Sequence, residues 1–136
     1  MYHKLILAGN LGGDPERGVT PTGKPVTNFS VATSERWTGS DGKPQDRQIW
    51  WRVTAFGVLG KICLERLKSG HGVLVEGVLH ADPATGAPPL WTGRDGQPRA
   101  SFEVRAQVVK FIRRPQAESS AQPTVPAVPP LQEIPF

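Results

Sequence analysis

The chain has 136 residues, with 16 Lys and Arg against 12 Asp and Glu, a formal net charge of +4 and one cysteine, Cys63. That length suits one domain plus a tail rather than two domains, and the modest surplus permits an anionic partner without demanding one. A lone cysteine excludes an intrachain disulfide and fits a reducing compartment. The N-terminal apolar run is too short for a signal peptide or a membrane span, so a cytoplasmic protein away from membranes is expected.

Along the chain, HKLILAGN (3–10) reads as a short strand closed by Gly12-Gly13-Asp14-Pro15, a strong turn signal. Residues 26–37 (VTNFSVATSERW) alternate, with Phe29, Val31 and Thr33 on one face and Asn28, Ser30 and Ser34 on the other. The polar run from Thr38 to Pro44 makes a hairpin loop before a third strand, RQIWWRVTAF (47–56). Over 58–68 (VLGKICLERLK) the period changes: Leu59, Ile62, Cys63 and Leu67 share a helical stripe, and Gly70 is a candidate stop. Strand character returns at 73–79 (VLVEGVL). A Pro- and Gly-rich loop then runs to Pro98, and 101–112 (SFEVRAQVVKFI) alternates through Phe102, Val104, Ala106 and Val108. Three strands, one helix and two strands predict an all-β domain over 1–112, a five-stranded OB barrel with its helix between strands 3 and 4. Residues 113–136 hold six of the 14 prolines and no periodicity, so they read as a disordered Pro-rich tail.

The third strand carries the most information. Ile49, Trp51, Val53 and Ala55 share an apolar face that belongs in a core, while Gln48, Trp50, Arg52, Thr54 and Phe56 share the other. Rings alternating with a guanidinium on a solvated face suit single-stranded nucleic acid, which offers unpaired bases for stacking and phosphates between them. The bland alternative is packing beneath a loop or another subunit. Trp37 and Trp91 each precede Thr-Gly beside an Asp-Gly turn (WTGSDGKP and WTGRDGQP), as tips of hairpins that wrap a ligand would, or as loop anchors.

In order and spacing, KLILAGNLGGDPE (4–16), TPTGKPVTNFSVATSERW (20–37), WWRVTAFGVLGKIC (50–63), LKSGHGVLVEGVL (67–79) and WTGRDGQPR (91–99) resemble the bacterial single-stranded DNA-binding proteins of the homotetrameric type. The resemblance implies DNA-binding positions at Trp37, Trp50, Phe56 and Trp91 for stacking and at Arg52 for phosphate, with Lys4, Arg17, Lys61 and Lys68 as further phosphate contacts. It also implies a homotetramer, non-sequence-specific protection of single-stranded DNA in replication, recombination and repair, and a place at the nucleoid. Ile134, Pro135 and Phe136 match the family's partner-binding tip, through which replication and repair proteins dock. Three departures stand out: Trp51 in place of the family's usual histidine, a longer connection over 81–90, and one acid near the tip where several are usual. A specialised paralogue acting mainly as an adaptor is the alternative.

No enzymatic activity, cofactor or metal is expected. The segment Gly18–Pro25 lacks the hydroxyl after its lysine that a phosphate-binding loop needs, and a strand follows it. His3, His71 and His80 lack zinc or triad spacing. Cys63 on the helical stripe reads as a small core residue. The Asp14, Glu16 and Arg17 group reads as turn chemistry.

Overall fold

The computed structural model describes residues 1–113. The tip residues Ile134, Pro135 and Phe136, with the rest of the tail beyond Arg113, lie outside them. Five strands close a barrel: β1 (Leu5–Leu11), β3 (Pro25–Thr38), β4 (Pro44–Phe56), β5 (Gly72–Leu79) and β8 (Phe102–Arg113). They pair in the order β1, β5, β8, β4, β3 and back to β1, with β4–β8 parallel and the other joins antiparallel. The only described helix, α1 (Gly57–Arg66), falls between the third and fourth barrel strands, as an OB barrel requires.

Three short strands add to the five read from alternation, and of these only the 91–99 hairpin was legible, from its Asp-Gly turn. β2 (Glu16–Val19) adds to the edge of β3, and β6 (Leu90–Thr92) with β7 (Pro98–Ala100) forms a separate hairpin. Each has only three or four residues, too few for alternation to register.

The core follows the alternation. Val31, Val53, Val73, Val75, Val104 and Cys63 are fully buried, each aliphatic side chain contributing about 1.5–3 kcal/mol. The Cys63 thiol is pushed up from its ordinary 9.0 to about 11 by burial, as a small core residue should be. Helix α1 seats on the barrel through Gly60, where a side chain would meet the Ala55 carbonyl oxygen. The buried Thr27 hydroxyl donates to the Gly60 carbonyl at 2.7 Å, tying helix to strand.

Four details differ from the sequence reading. Ile62 is exposed, because Gly60, Cys63 and Leu67 define the buried stripe and Ile62 lies well round the helix from them. The helix ends at Arg66, and Gly70 instead serves a following turn closed by the His71 N–H donating to the Lys68 carbonyl. A register shift opposite Glu76 and Gly77 puts Gln107 out of step, so Val109 rather than Val108 packs on the core. Phe102 is exposed although Val104 and Ala106 in the same alternation are buried, because β8 meets β4 only from Phe102 onward and the barrel wall ends there.

Candidate nucleic-acid interface

Strand β4 sets the geometry. Val53 and Ala55 are buried while Trp50 is 51% exposed and Arg52 is exposed, so the two faces are those the alternation assigns. Trp51 is half-buried against the core, its indole N–H donating to the Thr33 hydroxyl at 2.9 Å. Trp50 lies against Gly12, where any Cβ would run into the six-membered ring of the indole. The Gly12-Gly13 turn therefore does more than reverse the chain; it leaves room for the ring.

Trp37 and Trp91 stand at the ends of two hairpins built alike. In the β3–β4 loop the Gly39 N–H donates to the Lys43 carbonyl and the Lys43 N–H to the Asp41 carboxylate; in the β6–β7 loop Gly93, Gln97 and Asp95 repeat both bonds. The repeated sequence thus gives a repeated loop, with Trp37 and Trp91 45% and 50% exposed beside it. Trp91 is further fixed by its indole N–H donating to the Ser101 hydroxyl at 2.6 Å.

Trp50 and Arg52 face two clefts. One, of about 790 Å³, runs between β4 and the β6–β7 hairpin and brings Trp50, Arg52 and Trp91 together. The other, of about 500 Å³, lies between β4 and the Gly12-Gly13 turn and carries Asp14 and Glu16. Arg17 and Lys61 meet in a third cleft, of about 360 Å³, between β2–β3 and α1. Trp37, Phe56, Lys4 and Lys68 line none of these. Lys4 is drawn to Glu76 on β5 at 3.9 Å. Among the described residues Arg17, Arg52, Lys61 and Lys68 have no carboxylate in ion-pair range.

The sequence reading missed three arginines. Arg47 lies over the Trp37 ring at 5.1 Å, Arg99 over Trp91 at 5.9 Å and Arg105 over Phe56 at 5.1 Å. Such contacts position a cation beside each ring. Arg99 is the direct register partner of Trp91, so counting outward from the Asp-Gly turn finds it. Arg47 is diagonal to Trp37, two places beyond its partner Gln45. Arg105 pairs with Thr54 across the parallel join, a contact no local pattern reveals. Arg47 and Arg99 are also paired at the surface, with Glu35 at 2.7 Å and Asp95 at 3.1 Å. Exposed pairs of this kind are worth about 1 kcal/mol or less, so an incoming phosphate can exchange for the carboxylate.

Residues 2–112 match the profile of the Single-strand binding protein family. A single-stranded DNA-binding protein of Xanthomonas axonopodis pv. citri is 38% identical over 110 residues, covering 81% of this chain and 57% of the relative. Single-stranded DNA-binding protein 1 of Chlorobaculum tepidum is 47% identical over 77 residues, 57% of this chain and 48% of its own. The chain thus spans about half of the curated relatives it matches. A solved structure described as the Plasmodium falciparum SSB complex with ssDNA superposes with a TM-score of 0.62 at 23% identity, covering 82% of this chain and 96% of that one, a likeness of fold.

Proposed function

The chain belongs to the single-strand binding protein family, and from that premise we propose that it binds and protects single-stranded DNA without sequence preference, in replication, recombination and repair. The observation that carries the reading is the cleft where Trp50, Arg52 and Trp91 converge. Rings there can stack on unpaired bases while the guanidinium neutralises phosphate, and every base offers a face to stack. Trp37 and Phe56, each beside an arginine, extend the stacking set. Among the described residues Arg17, Lys61 and Lys68 have no carboxylate to leave before meeting phosphates, whereas Lys4 must first leave Glu76. The action is binding and not catalysis, and it needs no cofactor. Titrating tryptophan fluorescence with oligo-dT of increasing length tests it; no quenching by any length, or equal quenching by duplex, overturns it.

The domain that does this is residues 1–112, acting as a homotetramer in the cytoplasm. Beside the Lys4–Glu76 pair, β1 and β5 turn Ile6, Leu74 and Val78 outward, an apolar strip suited to a second copy. No helix among the described residues is long and apolar enough to cross a membrane. Docking of replication and repair proteins on Ile134, Pro135 and Phe136 is proposed from the sequence alone. Sedimentation tests the assembly, and calorimetry of the 131–136 peptide against a DNA-repair helicase tests the tip.

A further inference from the structure

We propose that Phe102, backed by Trp51, is an additional stacking position for single-stranded DNA in the arginine-lined cleft. This rests on the reading that the chain binds single-stranded DNA, and adds a residue to that site.

Alternation places Phe102 with the core residues Val104 and Ala106, yet its ring is 53% exposed. Its position explains why. Phe102 opens β8 opposite Trp51, at the rim where the β4–β8 join begins, so nothing among the described residues covers it. The ring is nevertheless held. Its centroid is 5.3 Å from that of Trp51 with the planes tilted by 42°, and Trp51 is itself anchored through Thr33. Ser101, the preceding residue, accepts the hydrogen bond that fixes Trp91. Two rings in one cleft are thus positioned by adjacent residues of one segment.

The charge around the ring selects the occupant. The cleft presents Arg47, Arg52 and Arg99 and no carboxylate of its own. An apolar segment of another copy would bury Arg52 without a partner and desolvate the Arg47–Glu35 and Arg99–Asp95 pairs, which is unfavourable. A single strand supplies a face for the ring and phosphates for the cations, and about 790 Å³ is within the range of ligand sites.

Three variants of the full chain, measured by oligo-dT anisotropy and sedimentation, decide it. Phe102→Ser and Phe102→Leu should each weaken oligo-dT binding by about 5- to 150-fold, the range of one lost stacking contact. Phe102→Tyr should restore it, with assembly unchanged in all three. Leucine keeps the apolar contact and loses the flat face, so near-normal binding by Phe102→Leu overturns the proposal, as does normal binding by Phe102→Ser. A loss of binding that follows dissociation of the assembly assigns the ring to an interface and overturns it too. If unsubstituted protein binds oligo-dT and Trp50→Ala binds it more weakly, while the Phe102 variants bind normally, only this inference fails. If unsubstituted protein does not bind, the broader reading fails with it.

Discussion

The two clefts that meet at Trp50 differ in charge while sharing a wall. Both use Trp50 and Arg52, but the larger adds Arg47, Arg99 and the Trp91 hairpin, and the smaller adds Asp14 and Glu16. A polyanion crossing Trp50 therefore meets arginines on one side, two of them in surface pairs that a phosphate can exchange, and a pair of carboxylates on the other. On the proposed function, the difference would assign separate work to the two sides. Phosphates would be held in the larger cleft, and the smaller one would admit the chain chiefly where a base, not a phosphate, faces the acids. The groove would then have a preferred path.

The largest expected effect lies behind the wall. Trp51 forms part of the larger cleft yet packs on the core, so Trp51→Ala should destabilise the domain by about 3 kcal/mol, the lower end for aromatic truncation because the ring is only half-buried. Thermal or urea unfolding reads it. A variant that melts normally and fails only in DNA binding would show that Trp51 belongs wholly to the cleft. Trp50→Ala should do the reverse. Its ring is displayed, so stability should hold while affinity falls by about 1–3 kcal/mol. Gly12→Ala should reproduce part of that loss by displacing the indole it touches.

How much of this was open to the sequence depends on the range of the interaction. The division of β4 into a buried and a displayed face is intrinsic to a strand, and Trp50, Arg52, Val53 and Ala55 lie where alternation puts them. The hairpin tryptophans were equally legible, because Asp-Gly turns are local chemistry and both loops close by the same bonds. Arg47 and Arg105 over the rings were not, since they reach their partners only through cross-strand register. The exposure of Phe102 depends on where the barrel ends, and the pairing of Lys4 with Glu76 on β1 and β5 coming together. Pattern reads one strand at a time; the charge of a cleft is assembled from several.

A salt titration sharpens the assignment of phosphates. Arg52 faces both clefts without a carboxylate partner among the described residues, so it should contact phosphate directly. Arg52→Ala should make the dependence of log affinity on log salt shallower by about 0.7, the value for one phosphate on a single strand. Base preference should not change. A slope that stays the same after Arg52→Ala removes this residue from the phosphate path and leaves Arg47 and Arg99 to carry it.

The smallest effect bears most directly on the contrast between the clefts. Asp14 and Glu16 are exposed, and Asp14 accepts a hydrogen bond from the Ser69 backbone N–H at 2.8 Å. Asp14→Asn and Glu16→Gln remove both charges while keeping an oxygen able to accept that bond, so the fold should be untouched. Where phosphates pass within a Debye length of the carboxylates, the double substitution relieves repulsion of a few tenths of a kcal/mol between solvated groups. Affinity for oligo-dT should then rise about twofold at low salt, and the gain should vanish near 1 M salt, where the Debye length shrinks to about 3 Å. Glu65→Gln, on the exposed side of α1, supplies the control for a general change in net charge. An equal gain per charge removed from Glu65→Gln would mean that the acids act only through total charge, and the smaller cleft would have no part in the path. A gain confined to Asp14 and Glu16 would fix the strand's route past the Gly12-Gly13 turn, with Trp50 as the ring it must cross to get there.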